Sequence, residues 1–387
     1  MWKTKFILNL LIVAAIFYLI WLNTEYKLKL HESNIFGKMY NCIKNNYYPE
    51  LTDEEIDDML YNAIQGLHTK YSDFIKSNKD YVDLASDYAY KLGFTGKYNF
   101  KKQAVEVSEV FFGSKVYKEG LRSGDYIIAI NGKDVRRDDI PSFENTENFT
   151  ITVLNKNRET FNISFSKRTG FYKMMDTKVI KEKEKKFLII KINYFGEGLF
   201  EGFNDYINLA IERKIDNIII DLRNNHGGSL NEAQKVLSLL SPQNVFYNIK
   251  LKNNYYMLSR IQNIKYRKEL NNKKIVVIVN RFSASASELV GLYLRDNNLA
   301  TVIGERTYGK SEILNTFSLD ENRKIIIPVG QYISLNGENI SGKGFEPNIK
   351  IEDPYFGIIY ENIREPEEDL LLEKAIDICL KNPPSLS

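Results

Sequence analysis

Three short segments of the chain carry residue types that could perform hydrolytic chemistry. In the first, Ser285 follows an apolar strand candidate, Ile275–Val279, and stands where a helix begins. A serine there could act as a nucleophile, because the N–H groups and dipole at a helix amino terminus stabilise a developing oxyanion. The letters Ser285-Ala286-Ser287-Glu288 also form a capping box, so this segment alone leaves catalysis and helix capping open.

The other two segments supply a base and free backbone N–H groups. Lys310 follows Gly309 just after the strand candidate Thr301–Gly304. A serine hydroxyl is a weak nucleophile until a base takes its proton, and a lysine can serve if burial lowers its pKa. A buried strand candidate ends at Gly227-Gly228, whose N–H groups could point at a ligand. Taken singly, Lys310 also fits a solvated loop lysine, and the glycine pair also fits an ordinary turn.

The elements that must position these residues form three zones. From about residue 34 to residue 76 the pattern is helical, with Thr52 and Glu55 forming a capping box and a helix end expected near Gly66. From about residue 93 to residue 167, short β-like runs alternate with Gly, Asp and Asn. After about residue 170, strands alternate with helices, which predicts a largely parallel sheet with crossover helices.

The middle zone resembles a PDZ domain. Residues 120–132 read G-L-R-S-G-D-Y-I-I-A-I-N-G, which is similar to the PDZ signature G-L-x-x-G-D-x-I-x-x-I-N-G. A PDZ domain binds a carboxy-terminal peptide as an added strand and holds the carboxylate in a backbone nest. The resemblance implies a nest at Gly93, Phe94, Thr95 and Gly96, where Thr95 stands in place of the usual second glycine.

The three chemical segments, taken in order, resemble the carboxy-terminal processing peptidases, also called tail-specific serine proteases. This chain has D-L-R-N-N-H-G-G at 221–228, S-A-S-A-S-E at 283–288 and G-E-R-T-Y-G-K at 304–310. The family carries D-L-R-x-N-P-G-G, S-A-S-A-S-E and G-E-x-T-x-G-K. The later G-K-G-F-E-P-N at 342–348 is similar to its G-x-G-I-x-P-D. The resemblance implies an α/β protease core of ClpP/crotonase-like fold, an inserted mainly-β PDZ domain and an N-terminal helical segment after a transmembrane helix.

The resemblance also implies roles for individual residues. Ser285 is the nucleophile, Lys310 is the general base, and the backbone N–H groups of Gly228 and Ala286 form the oxyanion hole. Asp296 matches a family aspartate, but it lies eleven residues beyond Ser285, roughly 16 Å along a continuous helix, so its expected role is supporting. No metal or cofactor is implied.

Two departures from the family pattern keep other functions open. The family's glutamine four residues after the lysine is Leu314 here, and the adjacent Asn315 would face the other side of a strand. This loss motivates a second hypothesis, a catalytically weak, membrane-tethered peptide-binding protein on the same fold. A third hypothesis, a small-ligand binder, is opposed by the presence of Ser285 and Lys310. His226 replaces the usual proline, and we interpret it as incidental rather than paired with Ser285.

The amino terminus predicts attachment to a membrane. The apolar run from Phe6 to Leu22 follows Lys3 and Lys5, and no small-residue cleavage site comes after it. This pattern favours an uncleaved signal anchor over a cleaved signal peptide or a buried core helix. The basic flank favours a cytoplasmic amino terminus, so we expect a single-pass protein of the cell membrane with an extracytoplasmic catalytic region.

These features predict five segments and define the expected partners. The segments are 1–25 (signal anchor), 26–85 (helical), 86–168 (PDZ), 169–355 (Ser-Lys protease core) and 356–387 (C-terminal helical). The charge of +3, from 53 basic and 50 acidic residues without a basic stripe, argues against nucleic acid as a partner. Cys42 and Cys379 form no disulfide framework. We expect protein or peptide substrates with accessible carboxyl termini, and the family implies a homodimer contact through a helix over Glu367–Leu380.

Overall fold

The structure is a computed structural model that describes most of the chain after residue 51. The described residues are 37–39, 52–67, 72–76, 92–99, 102–111, 114–135, 148–166, 173–261, 265–321, 323–352, 363 and 365–381. The predicted signal anchor lies outside them. No helix within these ranges is both long enough and apolar enough to cross a membrane. The chain divides into two compact units, Met1–Leu60 and Tyr61–Ser387.

The predicted capping box and the helix that it starts are both present. Helix α1 covers Asp53–Gln65. The Thr52 N–H donates to Glu55 Oε2 at 2.8 Å, and the Glu55 N–H donates to Thr52 Oγ1 at 3.2 Å. The helical pattern predicted as far as residue 76 is wrong at its end, because Asp73–Lys76 is strand β1. The side chain of Phe74 is buried there, and β1 pairs with a distant strand, which local periodicity does not reveal.

The predicted mainly-β zone forms a sheet with its own hydrophobic core. Strand β4 pairs with β3, β5 and β6, and the remaining strands follow in the order β2-β3-β4-β6-β7. Helix α2, Lys115–Lys118, begins with Ser114 as its N-cap. Alternate residues of β6 are buried, as expected for a strand that packs one face on a core. The strands are β2 Phe94–Asn99, β3 Ala104–Val110, β4 Tyr126–Ile130, β5 Lys133–Asp134, β6 Asn148–Leu154 and β7 Thr160–Ser166.

The predicted parallel sheet forms the centre of the remaining chain. Its order is β17-β14-β13-β10-β9-β8, in which β8 alone runs antiparallel to its neighbour. Every residue of β10 is buried, which fits a strand covered on both faces. The strands are β8 Met175–Glu182, β9 Lys185–Ile192, β10 Asn217–Asp221, β13 Lys274–Val279, β14 Thr301–Gly304 and β17 Ile349–Lys350.

Helices cover this sheet on its two faces. One face packs against α3 (Leu199–Glu212), α4 (Leu230–Leu240) and α5 (Ala286–Asp296). The other face packs against α6 (Leu370–Leu380). Neighbouring residues of β10 point to opposite faces, so the sheet has a core on each side.

A second sheet, which is antiparallel, was not predicted from the sequence. Its order is β1-β16-β11-β12, and β15 also pairs with β16. The expectation of a largely parallel sheet is therefore wrong for this part of the core. Two of its pairings, β1 with β16 and β11 with β16, join segments far apart in the sequence, and alternation within one strand does not indicate such a partner. The additional strands are β11 Val245–Leu251, β12 Tyr256–Arg260, β15 Glu312–Ser318 and β16 Arg323–Ile333.

The carboxy-terminal helix packs within the chain. Helix α6 follows a short 3₁₀ turn at Pro366–Glu368 and buries its apolar face against the parallel sheet. Lys274 Nζ donates to the carbonyl oxygen of Cys379 at 2.8 Å, near the end of this helix. The apolar face of this helix is therefore covered by the chain's own sheet, and the homodimer contact remains a prediction.

Candidate active site

Ser285 lies in a sharp turn between strand β13 and helix α5. Its backbone has φ 56° and ψ −119°, a region that residues other than glycine adopt at a cost in strain. The Ser285 N–H donates to Glu288 Oε2 at 2.9 Å. The Ser283 hydroxyl supports the turn by donating to the carbonyl oxygen of Leu222 at 2.8 Å. A strained strand–turn–helix connection is typical of serine nucleophiles, because it exposes the hydroxyl at the end of the sheet.

The predicted glycine pair packs directly against this turn. A Cβ atom at Gly227, where φ is +102°, would lie 2.8 Å from Ser285 Cβ and 3.1 Å from the Ala286 nitrogen. Only glycine therefore allows the two loops to approach this closely. The Phe195 N–H donates to the carbonyl oxygen of Gly227 at 2.8 Å, and the Ser229 N–H donates to the Phe195 oxygen at 2.7 Å. These bonds flank Gly228 and direct its own N–H away from Phe195.

Side-chain amides hold the two loops together. Asn280 Nδ2 donates to Asn224 Oδ1 at 2.9 Å, and the Asn224 N–H donates to Asn280 Oδ1 at 3.0 Å. The backbone carbonyl oxygen of Asn225 accepts the Ala284 N–H at 2.9 Å. The side-chain oxygen Oδ1 of Asn225 accepts the Gly227 N–H at 2.8 Å. These contacts fix the glycine loop relative to the serine turn before any substrate binds.

Glu288 joins the serine turn to the segment that carries Lys310. Its buried carboxylate accepts the Thr307 hydroxyl at 2.6 Å and the Gly309 and Lys310 N–H groups at 2.7 and 2.8 Å. Burial raises the pKa of Glu288, although these hydrogen bonds and that from Ser285 favour its ionised form. Sequence reasoning identified Glu288 only as part of a capping box, because its other partners come from residues 307–310, which follow the next strand.

Replacing Glu288 by glutamine is expected to lower kcat by about 10- to 100-fold and the free energy of unfolding by about 1–3 kcal/mol. Glutamine has one acceptor oxygen, so donors from Ser285, Gly309 or Lys310 would lose their partner. Steady-state peptide cleavage and urea unfolding would measure both effects. A Glu288→Gln variant with wild-type kcat would contradict this positioning role. The control is Glu305→Gln, which removes the negative charge from an ion pair with the half-exposed Arg281.

Lys310 is half-buried and leads directly into strand β15. Leu314, which occupies the position of the family's glutamine, lies on that strand with 39% of its surface exposed. The hydroxyls of Ser287 and Ser311 are buried and have no hydrogen-bond partner within the described part of the chain. These two hydroxyls follow the predicted nucleophile and base closely in sequence. The sequence analysis named Ser287 only within the capping box and did not name Ser311. Buried unpaired hydroxyls can take ordered water.

Asp296 is not brought to the serine turn. It is the last residue of α5, and its carboxylate accepts hydrogen bonds from Arg295 Nε and Nη2 at 2.9 and 2.7 Å. Arg295 Nη1 also donates to the carbonyl oxygen of Glu346 at 2.7 Å. The contacts of Asp296 thus belong to the distal end of the helix, and its supporting role remains a prediction.

His226 links the glycine loop to the β domain. Its ring stacks on Phe111 with centroids 5.0 Å apart, and its Nδ1 lies 3.5 Å from Glu109 Oε2. The ring of Phe282, near the serine turn, is 6.4 Å away on a tilted plane. These partners give His226 a place at the contact between the two domains, which its position in the motif did not indicate.

The four residues predicted to bind a peptide carboxylate lie at the beginning of strand β2. Gly93 has φ +89° and precedes the strand, whereas Phe94, Thr95 and Gly96 are its first residues. Phe94 is buried, and the register with β3 shifts between Thr95 and Gly96. The carbonyl oxygen of Gly93 accepts the Phe111 N–H at 2.7 Å. Their role in peptide binding remains a prediction.

A buried ionic cluster supports the start of the glycine loop. Arg223 donates to both oxygens of Asp369, at 2.9 and 2.6 Å, and to Asp221 Oδ2 at 2.7 Å. Burial disfavours the charge on Arg223, but the two carboxylates outweigh it and raise its pKa. Asp369 also accepts the Leu372 N–H at 3.1 Å as the N-cap of α6. The cluster therefore connects the carboxy-terminal helix to the loop that contains Gly228.

The described part of the chain contains no group of three or more His, Cys, Asp or Glu residues that could hold a metal ion. A serine in a strained strand–turn–helix connection, packed against a glycine loop, is an arrangement in which serine nucleophiles occur. Residues 186–351 match the model of peptidase family S41, and residues 82–139 match that of the PDZ domain. Over most of its α/β core the chain is therefore similar to peptidase family S41, and over part of its β domain it is similar to PDZ domains.

Two bacterial proteases and a solved structure are also similar to this chain. A probable CtpA-like serine protease of Staphylococcus aureus strain N315 is 25% identical over 336 residues, which cover 84% of this chain and 65% of the relative. The carboxy-terminal processing protease CtpA of Bacillus subtilis strain 168 is 26% identical, with 82% and 68% covered. The chain thus spans slightly less than two thirds of the Staphylococcus relative. The fold is similar to that of the photosystem II D1 C-terminal processing protease, with TM-score 0.57, 17% identity and 84% and 88% covered.

Proposed function

We propose that this chain is a membrane-anchored serine endopeptidase of the C-terminal processing type, with Ser285 as nucleophile and Lys310 as general base. The observation that carries the proposal is the turn at Ser285. Its strained backbone packs against Gly227, and Glu288 links it to the backbone of Lys310. The motifs that contain these residues are those of the family.

The proposed mechanism is acyl transfer. Neutral Lys310 takes the proton of the Ser285 hydroxyl, and the oxygen attacks the carbonyl carbon of a peptide bond. The N–H groups of Gly228 and Ala286 stabilise the oxyanion of the tetrahedral intermediate. Lys310 then gives its proton to the leaving amine. The same lysine finally activates the water that hydrolyses the acyl-enzyme.

The PDZ domain supplies substrate binding in this proposal. It docks the carboxy-terminal tail of a protein as an added strand, with the carboxylate near Gly93–Gly96. The contact of Glu109 and Phe111 with His226 brings this domain beside the glycine loop. A tail held there would have its upstream residues available to Ser285.

Membrane attachment is the third part of the proposal. The basic and apolar sequence from Lys3 to Leu22 supports a single-pass anchor, with the catalytic region outside the cytoplasm. The substrates would then be membrane or envelope proteins with accessible carboxyl termini.

One observation favours a second function, a catalytically weak, tethered peptide-binding protein. Leu314 is exposed and apolar, so it offers Lys310 no hydrogen-bond acceptor where the family has a glutamine. In this alternative the PDZ domain binds tails, and turnover is too slow to be the function.

Cleavage of a tail-bearing protein would test the proposal. We expect the detergent-solubilised full chain to cut an unstructured protein with a free carboxyl terminus about 10- to 100-fold more efficiently than its amidated form, because charge-assisted hydrogen bonds hold the carboxylate. Ser285→Ala is the catalytic control. Equal kcat/KM for both forms would contradict tail docking, and tail binding without cleavage by the wild type would support the binding protein.

A further inference from the structure

Strands β11 and β12 form a ribbon at one edge of the antiparallel sheet. Within the described residues, β12 pairs with β11 alone, and β11 pairs with β16 only over its last residues, Asn248–Leu251. The two strands are connected through a turn at Lys252–Asn254. Strand β12 is therefore an edge strand, and the part of β11 next to the turn joins it to the rest of the sheet.

The end of this ribbon exposes apolar side chains on both of its faces. The four consecutive residues Tyr255, Tyr256, Met257 and Leu258 are exposed by 64, 53, 44 and 46%. Successive side chains of a strand point to opposite faces, so neither face of the ribbon is polar here. Isolated exposed apolar residues are normal on a soluble surface, but a continuous run of them marks an interaction site.

The ribbon itself carries only basic charges. From Val245 to Arg260 the sequence contains Lys250, Lys252 and Arg260 and no aspartate or glutamate, although the whole chain is nearly neutral. Lys252 and Arg260 are exposed and bracket the apolar run. The neighbouring strand β16 places Gly330, Gln331 and Tyr332 opposite β11, so it adds no acidic group to this side. The ribbon thus combines exposed apolar side chains with basic residues and has no acidic residue of its own.

We propose that this ribbon inserts into the headgroup region of an anionic lipid bilayer. Tyrosine is suited to that region because its ring is apolar and its hydroxyl is polar, and Met257 and Leu258 add buried apolar area. Lysine and arginine next to the apolar run are attracted by anionic headgroups. A fluid lipid layer surrounds both faces of a ribbon, whereas a folded partner ordinarily covers one. The proposal is independent of the chemistry assigned to Ser285.

Photocrosslinking in a membrane would test this proposal and identify the partner. The full chain carrying Ser285→Ala, which prevents self-cleavage, and Tyr256→p-benzoylphenylalanine is reconstituted in nanodiscs of phosphatidylcholine with or without phosphatidylglycerol. Mass spectrometry then identifies what is attached at position 256. We expect lipid adducts at position 256 in the anionic discs. The amount of these adducts should fall by about tenfold or more in neutral discs, and also in anionic discs when Lys252 and Arg260 are replaced by glutamine.

A matched control places the same crosslinker at Val179, an exposed residue of strand β8 in the other sheet. Lipid adducts at position 256 that do not exceed those at position 179 would overturn the proposal. Adducts to a second copy of the chain in place of lipid would also overturn it, because the ribbon would then be a protein interface. Equal lipid labelling in neutral and anionic discs would refute the part played by the basic residues.

Discussion

Replacing Ser285 by alanine is expected to lower kcat by about 10⁴-fold or more without unfolding the chain, because no other group would form the acyl-enzyme. Lys310→Ala should lower kcat by a similar factor, since a neutral serine hydroxyl without a base is a poor nucleophile. The double variant should be no slower than the slower single variant, because the two residues act in the same step. Cleavage of a fluorogenic peptide, with circular dichroism to verify folding, would measure these effects.

Two matched variants separate catalysis from local damage. Ser287→Ala removes a buried hydroxyl that has no partner in the described structure, so we expect a change of less than about threefold in kcat. Lys343→Ala removes an exposed lysine from the loop that packs against Gly309. If Lys310→Ala retained more than about one tenth of the wild-type kcat, the base would have to be another group.

Replacing Asp369 by alanine is expected to lower the free energy of unfolding by about 3–5 kcal/mol. The reason is that Arg223 would keep its buried charge after losing two hydrogen bonds to this carboxylate. Helix α6 would also lose its N-cap. Urea unfolding measures the change, and Asp369→Asn, which retains a capping side chain, should show the loss of the ionic contribution alone.

The thiol of Cys379 reports whether α6 stays in place in these variants. It is buried against the parallel sheet, and burial raises its pKa to about 12, so the native thiol should resist alkylation at neutral pH. Peptide mapping after iodoacetamide treatment should show faster modification of Cys379 in Asp369→Ala. Asp377→Ala, which breaks a pair with Lys374 on the same helix, should leave it protected. An unchanged unfolding free energy and a protected thiol in Asp369→Ala would contradict this role of the cluster.

Local sequence patterns predicted the parts of the fold that depend on local interactions. The capping box of Thr52 and Glu55 and the helix end near Gly66 agree with the structure. Apolar runs in β10 and β13 identified buried parallel strands, because a strand covered on both faces has no polar side. The family motifs then indicated the strand ends at which functional residues are expected.

Interactions between distant segments were not predictable in the same way. Strand β1 was interpreted as helical, because its partner β16 lies some 250 residues later in the sequence. Glu288 looked like a helix cap, since its contacts with Thr307, Gly309 and Lys310 exist only after the loops meet. The sequence predicted the helix now seen as α6, but not the sheet of the same chain against which its apolar face packs.

The most direct test of the central claim is covalent labelling of the nucleophile. The full chain is treated with a fluorophosphonate, which reacts with an activated serine hydroxyl, and the modified residue is located by peptide mapping. We predict a single label on Ser285 of the wild type, with labelling at least about 100-fold slower in Lys310→Ala. A label on a different serine, or equal labelling rates in the two proteins, would contradict a Ser285–Lys310 dyad.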